Sequence, residues 1–208
     1  MTVIYLLPIV LFLVGCGAKE PELGLQKDEV LAVAPFEQPR QNWELLAGYP
    51  AKGEDLSPRI LQGLDELLAA KLQDAGREDY LGPDRVQQCK EQLASQKDRS
   101  RLSAVRFWSQ VGECLQADYL LVPHILQWEE REGGKWGVQE PATVHFDLYL
   151  LDVQEQRLKQ RFNFEEEQKA LSQDLLQIRR FFQRRAKWIS AKELAGEGME
   201  KAMQEWGL

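Results

Sequence analysis

The chain has 208 residues, with 33 acidic against 26 basic side chains and a formal net charge of −7. That length suits one domain with a core of its own. A negative surface repels phosphate backbones, which argues against nucleic-acid binding by the domain as a whole.

The first charged side chain is Lys19, and Val3 to Val14 form an apolar run broken only by Tyr5 and Pro8. A membrane-spanning helix needs about 20 apolar residues, whereas an export signal needs about 7–15. The run is of the second kind. It ends in Leu13-Val14-Gly15-Cys16, which resembles the bacterial lipobox. That resemblance implies a signal peptide over residues 1–15, cleavage before Cys16, a diacylglyceryl thioether on the Cys16 thiol and an acylated (palmitate-type) Cys16 amine. Gly15 is small enough for a peptidase cleft. Two or more acyl chains anchor stably where one binds marginally. Gly17, in place of Asp, implies within the same resemblance an outer-membrane destination facing the periplasm. The alternative is a short buried helix with Cys16 as a core residue. No Lys or Arg precedes the run, where export signals usually carry positive charge.

Residues 16–28 then read as the lipidated cysteine and a polar tether, with Gly17, Pro21 and Gly24. A single globular domain is expected over 29–208. Residues 29–36 (Glu-Val-Leu-Ala-Val-Ala-Pro-Phe) read as a strand buried on both faces. Residues 37–56, with Pro39, Gly48, Pro50 and Gly53, read as a long irregular loop, of a kind often functional or mobile. Ser57-Pro58 starts a helix with Ile60, Leu64, Leu67, Leu68 and Leu72 inward, and Gly76 stops it. Tyr80-Leu81 reads as a short strand, and Gly82-Pro83-Asp84 opens a second helix. After a polar break over 95–100 a third helix follows, with Leu102, Val105, Trp108 and Leu115 inward.

Residues 118–126 read as a strand interrupted at Pro123, running on to Glu132 and a turn at Gly133-Gly134. Residues 142–151 alternate: Val144, Phe146, Leu148 and Leu150 share one face, His145, Asp147, Tyr149 and Leu151 the other. Residues 157–165 alternate again, with Leu158, Phe162 and Phe164 opposed to Arg157, Lys159 and Arg161. These three strands predict an antiparallel meander. From about Leu171 the chain is helical: Ser172 caps one helix, and Ser190 with Glu193 forms a capping box for another, with Leu194, Met199, Met203 and Trp206 inward. The fold class is therefore α/β (α+β): a mixed sheet with an antiparallel meander, packed against helices, plus C-terminal helices.

Cysteine usage fits export. Apart from Cys16 the chain holds Cys89 and Cys114, an even pair suited to an oxidising compartment. Each lies on an apolar helical stripe: Val86, Cys89 and Leu93, then Phe107, Val111 and Cys114. A disulfide between them is favoured over two buried thiols acting as small hydrophobes.

Taken together, the lipobox, the tether, Val30-Leu31-Ala32-Val33-Ala34-Pro35-Phe36, the Leu-Leu-Ala-Ala-Lys-Leu helix end at 67–72 and Ala117-Asp118-Tyr119-Leu120-Leu121-Val122 resemble a periplasmic α/β lipoprotein group. The group includes the curli-secretion lipoproteins, the penicillin-binding-protein activator lipoproteins and the N-terminal domain of the Tol-system propeller protein. The resemblance covers about residues 29–165 and implies a fold; function does not travel with fold. Pro123-His124 stand where the group turns at a glycine. No long amphipathic hairpin of the kind a secretion pore needs is present, so a pore is disfavoured.

Three residues form the candidate metal set: His124, His145 and Asp147, which meet if their strands pair. The competing reading is ordinary sheet histidines, and the expectation is no metal, no cofactor and no catalytic residue. The chain carries neither His-Glu-x-x-His nor Gly-x-Ser-x-Gly. The most unusual stretch is 179–188, Arg-Arg-Phe-Phe-Gln-Arg-Arg-Ala-Lys-Trp, basic and aromatic within an acidic chain. Arg179, Arg180, Arg184, Arg185, Lys187 and Trp188 are the candidate interaction surface, because Arg forks and Trp area suit recognition. The competing reading is a solvated helix end with its aromatics packed inside. The expected role is a membrane-anchored, non-catalytic binding or assembly module contacting an envelope protein or cell-wall component. An envelope hydrolase or metal-dependent enzyme is the alternative, and a subunit of an export complex the third reading.

Overall fold

The computed structural model describes residue 25 and residues 28–41, 44–94, 104–134, 137–167 and 189–207. The lipobox, Cys16, Leu102, Ser172 and the basic-aromatic stretch lie outside them.

Helices α1 (Pro58–Asp74), α2 (Pro83–Ala94) and α3 (Ala104–Leu115) follow the three-residue strand β1 (Leu31–Val33). Then come β2 (Tyr119–Glu129), β3 (Glu132–Gly134), β4 (Gly137–Glu140), β5 (Thr143–Asp152), β6 (Arg157–Glu167) and α4 (Ala191–Trp206). The main sheet runs β1-β2-β5-β6, with β1 parallel to β2 and the rest antiparallel. It is the mixed sheet with a meander that alternation in the sequence predicts.

Alternation also decides the layers. Leu31, Val33, Leu121, Ile125, Phe146, Leu148, Phe162 and Phe164 point to one face, where they pack with Leu64, Leu68 and Leu72 of α1 and Leu194, Met199 and Trp206 of α4. Ala32, Ala34, Leu120, Val122, Tyr149 and Leu151 point to the other, against Val86 and Cys89 of α2 and Trp108 and Val111 of α3. The capping box at α4 is formed: Ser190 Oγ accepts from the Glu193 amide, and the Glu193 carboxylate accepts from the Ser190 amide.

Several boundaries differ from the sequence reading. The first strand shortens to three residues: Ala34 N still donates to Leu121 O, but Pro123 has no N–H to return a bond to the Ala34 carbonyl. Leu81 makes only an isolated parallel bridge to Ala32. Ser57 takes the N-cap backbone conformation without a side-chain cap bond. Gly133 and Gly134 are strand residues of the β3–β4 hairpin, not its turn. Pro123 does not interrupt β2. Its carbonyl accepts from the Glu37 amide, so that side of the backbone faces past the end of β1. A residue's N–H and C=O share a side in a strand, and the missing N–H therefore removes nothing from the β2–β5 ladder. Finally, a register shift opposite Leu150/Leu151 puts Leu158 on the α2/α3 side, away from Phe162 and Phe164. A bulge of this kind turns a side chain to the other face.

Candidate functional site

β2, β5 and β6 bring polar side chains together where the α2/α3 layer ends. Register sets His124 opposite Asp147, and Asp147 opposite Asn163; one step along, Gln127, His145 and Glu165 are aligned. Tyr149 pairs with Arg161 on the same face.

Asp147 is the centre. It is fully buried and accepts three hydrogen bonds. Tyr149 Oη donates to Oδ2 at 2.6 Å, an Arg161 guanidinium nitrogen donates to Oδ2 at 2.8 Å, and Asn163 Nδ2 donates to Oδ1 at 2.8 Å. A buried carboxylate is tolerated only with such partners, and Arg161 supplies the countercharge. Burial, then the bond to and charge of Asp147, push the Tyr149 phenol far above its ordinary range. Burial pulls the Arg161 pKa down, but the bond to and charge of Asp147, with a smaller contribution from Tyr149, outweigh it and the pKa is raised. Asn163 Nδ2 also lies 2.9 Å from His145 Nε2. His124 is 1% exposed, packs edge-on to Tyr149 at 5.2 Å, and has an Nδ1 without a hydrogen-bond partner among the described residues. Burial pulls its pKa down to about 4, against a smaller upward pull from Asp147, so its imidazole is neutral at neutral pH.

The loop of 37–56 closes over this cluster. Ala47 O lies 2.9 Å from Tyr149 Oη and shares its single hydrogen with Asp147. Gly48, at φ +81°, lies so close that a Cβ there would sit 3.2 Å from an Arg161 nitrogen; the conformation and the approach both call for glycine. Next to it, Tyr49 is 80% exposed. The loop is pinned, not loose. Arg40 donates to the carbonyls of Ala51 and Gly53 and to the Asp55 carboxylate, Lys52 N donates to Leu126 O, and Leu56 N donates to Gln38 Oε1. At its start Glu37 bridges to His124 through the backbone and pairs with Lys90 of α2.

The three candidate metal ligands are thus brought onto one face of the sheet, but they are not a converging set. Asp147 is committed to Tyr149, Arg161 and Asn163, and His145 faces the Asn163 amide. Among the described residues no group of three His, Cys, Asp or Glu is placed to hold a metal ion. Cys89 and Cys114 are disulfide-bonded, with Cα atoms 6.0 Å apart, stapling α2 to α3. Cys89 is buried while Cys114 is exposed, so the bond sits at the rim of the layer. Cys16, Arg179, Arg180, Arg184, Arg185, Lys187 and Trp188 lie outside the described residues.

Sequence reasoning missed Tyr149, Arg161 and Asn163 as members of the cluster. The usable signal was Asp147 on a strand flanked by apolar residues, since a buried carboxylate demands a cation nearby. Which cation depends on the β5–β6 register. Elsewhere, a shallow groove between α1 and α4 is lined by Lys71, Asp74, Ala75, Glu200, Met203 and Gln204, and the Lys71–Glu200 ion pair spans it at 3.1 Å.

No family model and no curated protein match the chain. Solved structures of similar shape include a PelC dodecamer from Paraburkholderia phytofirmans, 12% identical over 90% of this chain and 93% of that one, with a TM-score of 0.47. The LpoB C-terminal domain from Salmonella enterica is 14% identical over 70% and 87%, at 0.42. Lipoprotein GNA1162 from Neisseria meningitidis is 14% identical over 76% and 98%, at 0.40. Likenesses of this degree transfer no activity or partner to this chain.

Proposed function

We propose that the chain is a lipid-anchored module of a bacterial envelope that binds another envelope component without catalysing a reaction. The observation that carries this reading is Leu13-Val14-Gly15-Cys16 at the end of a short apolar run. Cys16 bears the lipid, and residues 17–28 set the domain off from an outer membrane, on its periplasmic side. No helix among the described residues is long and apolar enough to cross a membrane. The polar cluster around Asp147 offers no free carboxylate for chemistry, because Asp147 is buried and accepts from Tyr149, Arg161 and Asn163.

Anchoring raises the effective concentration of a weak binding face near its target. The face we assign is Arg179, Arg180, Arg184, Arg185, Lys187 and Trp188, and it suits an acidic partner protein or a cell-wall carboxylate. Two measurements test the reading. Labelling with radioactive palmitate should mark the wild-type chain and not Cys16→Ser; equal labelling, or none, refutes the anchor. Crosslinking in intact envelopes should capture one saturable partner that is lost in an Arg184→Glu/Arg185→Glu chain. Unchanged capture by that chain refutes the assigned face.

A further inference from the structure

The two edges of the main sheet differ. β1 has three residues, and the chain around it is tied down by the Leu81 and Glu37 bridges. β6 has eleven, and no described strand pairs with its outer edge. A long open edge is a template for another strand, and proteins usually blunt one with charged side chains, Pro or a bulge. The charges on β6 are not of one sign. On the α2/α3 side of the sheet its exposed residues run Arg161, Asn163, Glu165, Glu167, basic before Asn163 and acidic after it. Like-signed edges repel an approaching copy; this sequence, read against itself in reverse, does the opposite.

We propose that β6 is a dimerisation edge, in which two copies of this chain pair antiparallel about a two-fold axis at Asn163 and join their sheets into one. In that register Arg161 of each copy faces Glu165 of the other, so the symmetry makes two cross-strand ion pairs. Asn163 faces its own equivalent on the axis. On the opposite side of the sheet Phe162 faces Phe164, both buried beneath α4 of their own copy, so the apolar layers meet edge to edge. Sites paired this way differ by an even number of residues, so inward residues meet inward residues and neither copy turns a charge into the core. The surface shares no residue with the stretch assigned to the envelope partner. A dimer would carry two lipid anchors, which strengthens membrane attachment.

The test uses the full chain in density-matched detergent. Sedimentation velocity across a concentration series should show a monomer–dimer equilibrium. Glu165→Lys replaces both ion pairs with like-charge contacts and should weaken the dimer by roughly tenfold or more. Glu165 is exposed and outside the Asp147 cluster, so this variant should unfold at the wild-type temperature. Asn163→Cys should give a covalent dimer on mild oxidation, because facing residues of an antiparallel pair lie within disulfide reach; Arg59→Cys, at an exposed position of α1, should not. A chain that stays monomeric at every concentration overturns the proposal. So does a dimer indifferent to Glu165→Lys that Asn163→Cys fails to crosslink.

Discussion

Two glycines two residues apart on α4 offer a direct test of how the C-terminal helix meets the sheet. Gly196 and Gly198 are both buried, and in an isolated helix either would gain about 1 kcal/mol on replacement by alanine. Their surroundings differ. A methyl at 196 would lie 3.6 and 3.7 Å from the Leu67 Cδ atoms of α1, which is ordinary contact. A methyl at 198 would lie 2.7 Å from Phe164 Cγ and 2.8 Å from Phe146 Cε1. Those rings are buried and packed on one another at 5.2 Å, so neither can swing away. The helix would have to lift by roughly 0.7 Å to restore normal contact, and overpacking of that sort costs about 1–3 kcal/mol. With rings crowding the methyl from two strands we take the upper end, leaving Gly198→Ala destabilised by about 2 kcal/mol after the helix gain. Gly196→Ala should be stabilised by about 1 kcal/mol. In a domain of this size each kcal/mol moves the midpoint by about 2–4 °C, so thermal unfolding followed by circular dichroism should separate the two variants by several degrees, with opposite signs. If Gly198→Ala gained as much as Gly196→Ala, α4 would not be pressed against Phe146 and Phe164 and the packing of that face would be wrong.

Three other outcomes are expected. His124, with a folded pKa of about 4 against 6.5 unfolded, costs stability as pH falls through that window, by about 3 kcal/mol at the acid end. Asp65, whose carboxylate is raised to about 6 chiefly by burial despite accepting from the Phe36 amide, acts oppositely: its contribution is present below its unfolded pKa of 3.8 and lost as pH rises through about 6. Urea unfolding from neutral to mildly acidic pH in an Asp65→Asn background should expose the His124 slope, and a resonance assigned to the His124 imidazole that titrates near 6.5 would refute it. Cys89→Ser/Cys114→Ser removes a crosslink spanning 25 residues and should cost about 3 kcal/mol in urea unfolding, less if the unfolded chain stays compact. Asp147→Ala removes the buried countercharge of Arg161 and the acceptor it shares with Tyr149 and Asn163, and should cost roughly 3 kcal/mol, whereas Arg157→Ala, at an exposed pair with Glu155, should cost under about 1. Equal losses in the two variants would show that Asp147 does not hold the cluster.

What the chain discloses unaided is whatever short-range order determines. The lipobox resemblance rests on four consecutive residues. The helix of Leu64, Leu68 and Leu72, the capping box of Ser190 and Glu193, and the two faces of 142–151 each follow from spacings of two to four residues, which a local pattern records. Cys89 and Cys114 could be matched because they are the pair left once Cys16 is set aside. Other features needed distant backbone. Pro123 reads as a break until the chain past β1 is seen to lie on its N–H side. Leu158 reads as a neighbour of Phe162 until the bulge beside it turns it to the other helix layer. Asp147, Tyr149, Arg161 and Asn163 form one hydrogen-bonded unit only because β5 and β6 pair in one register and Gly48 lets the loop close over it. Register is a long-range property, selected by burying two whole faces of the sheet at once. It therefore decided which polar residues meet, while local spacing decided which elements carry them.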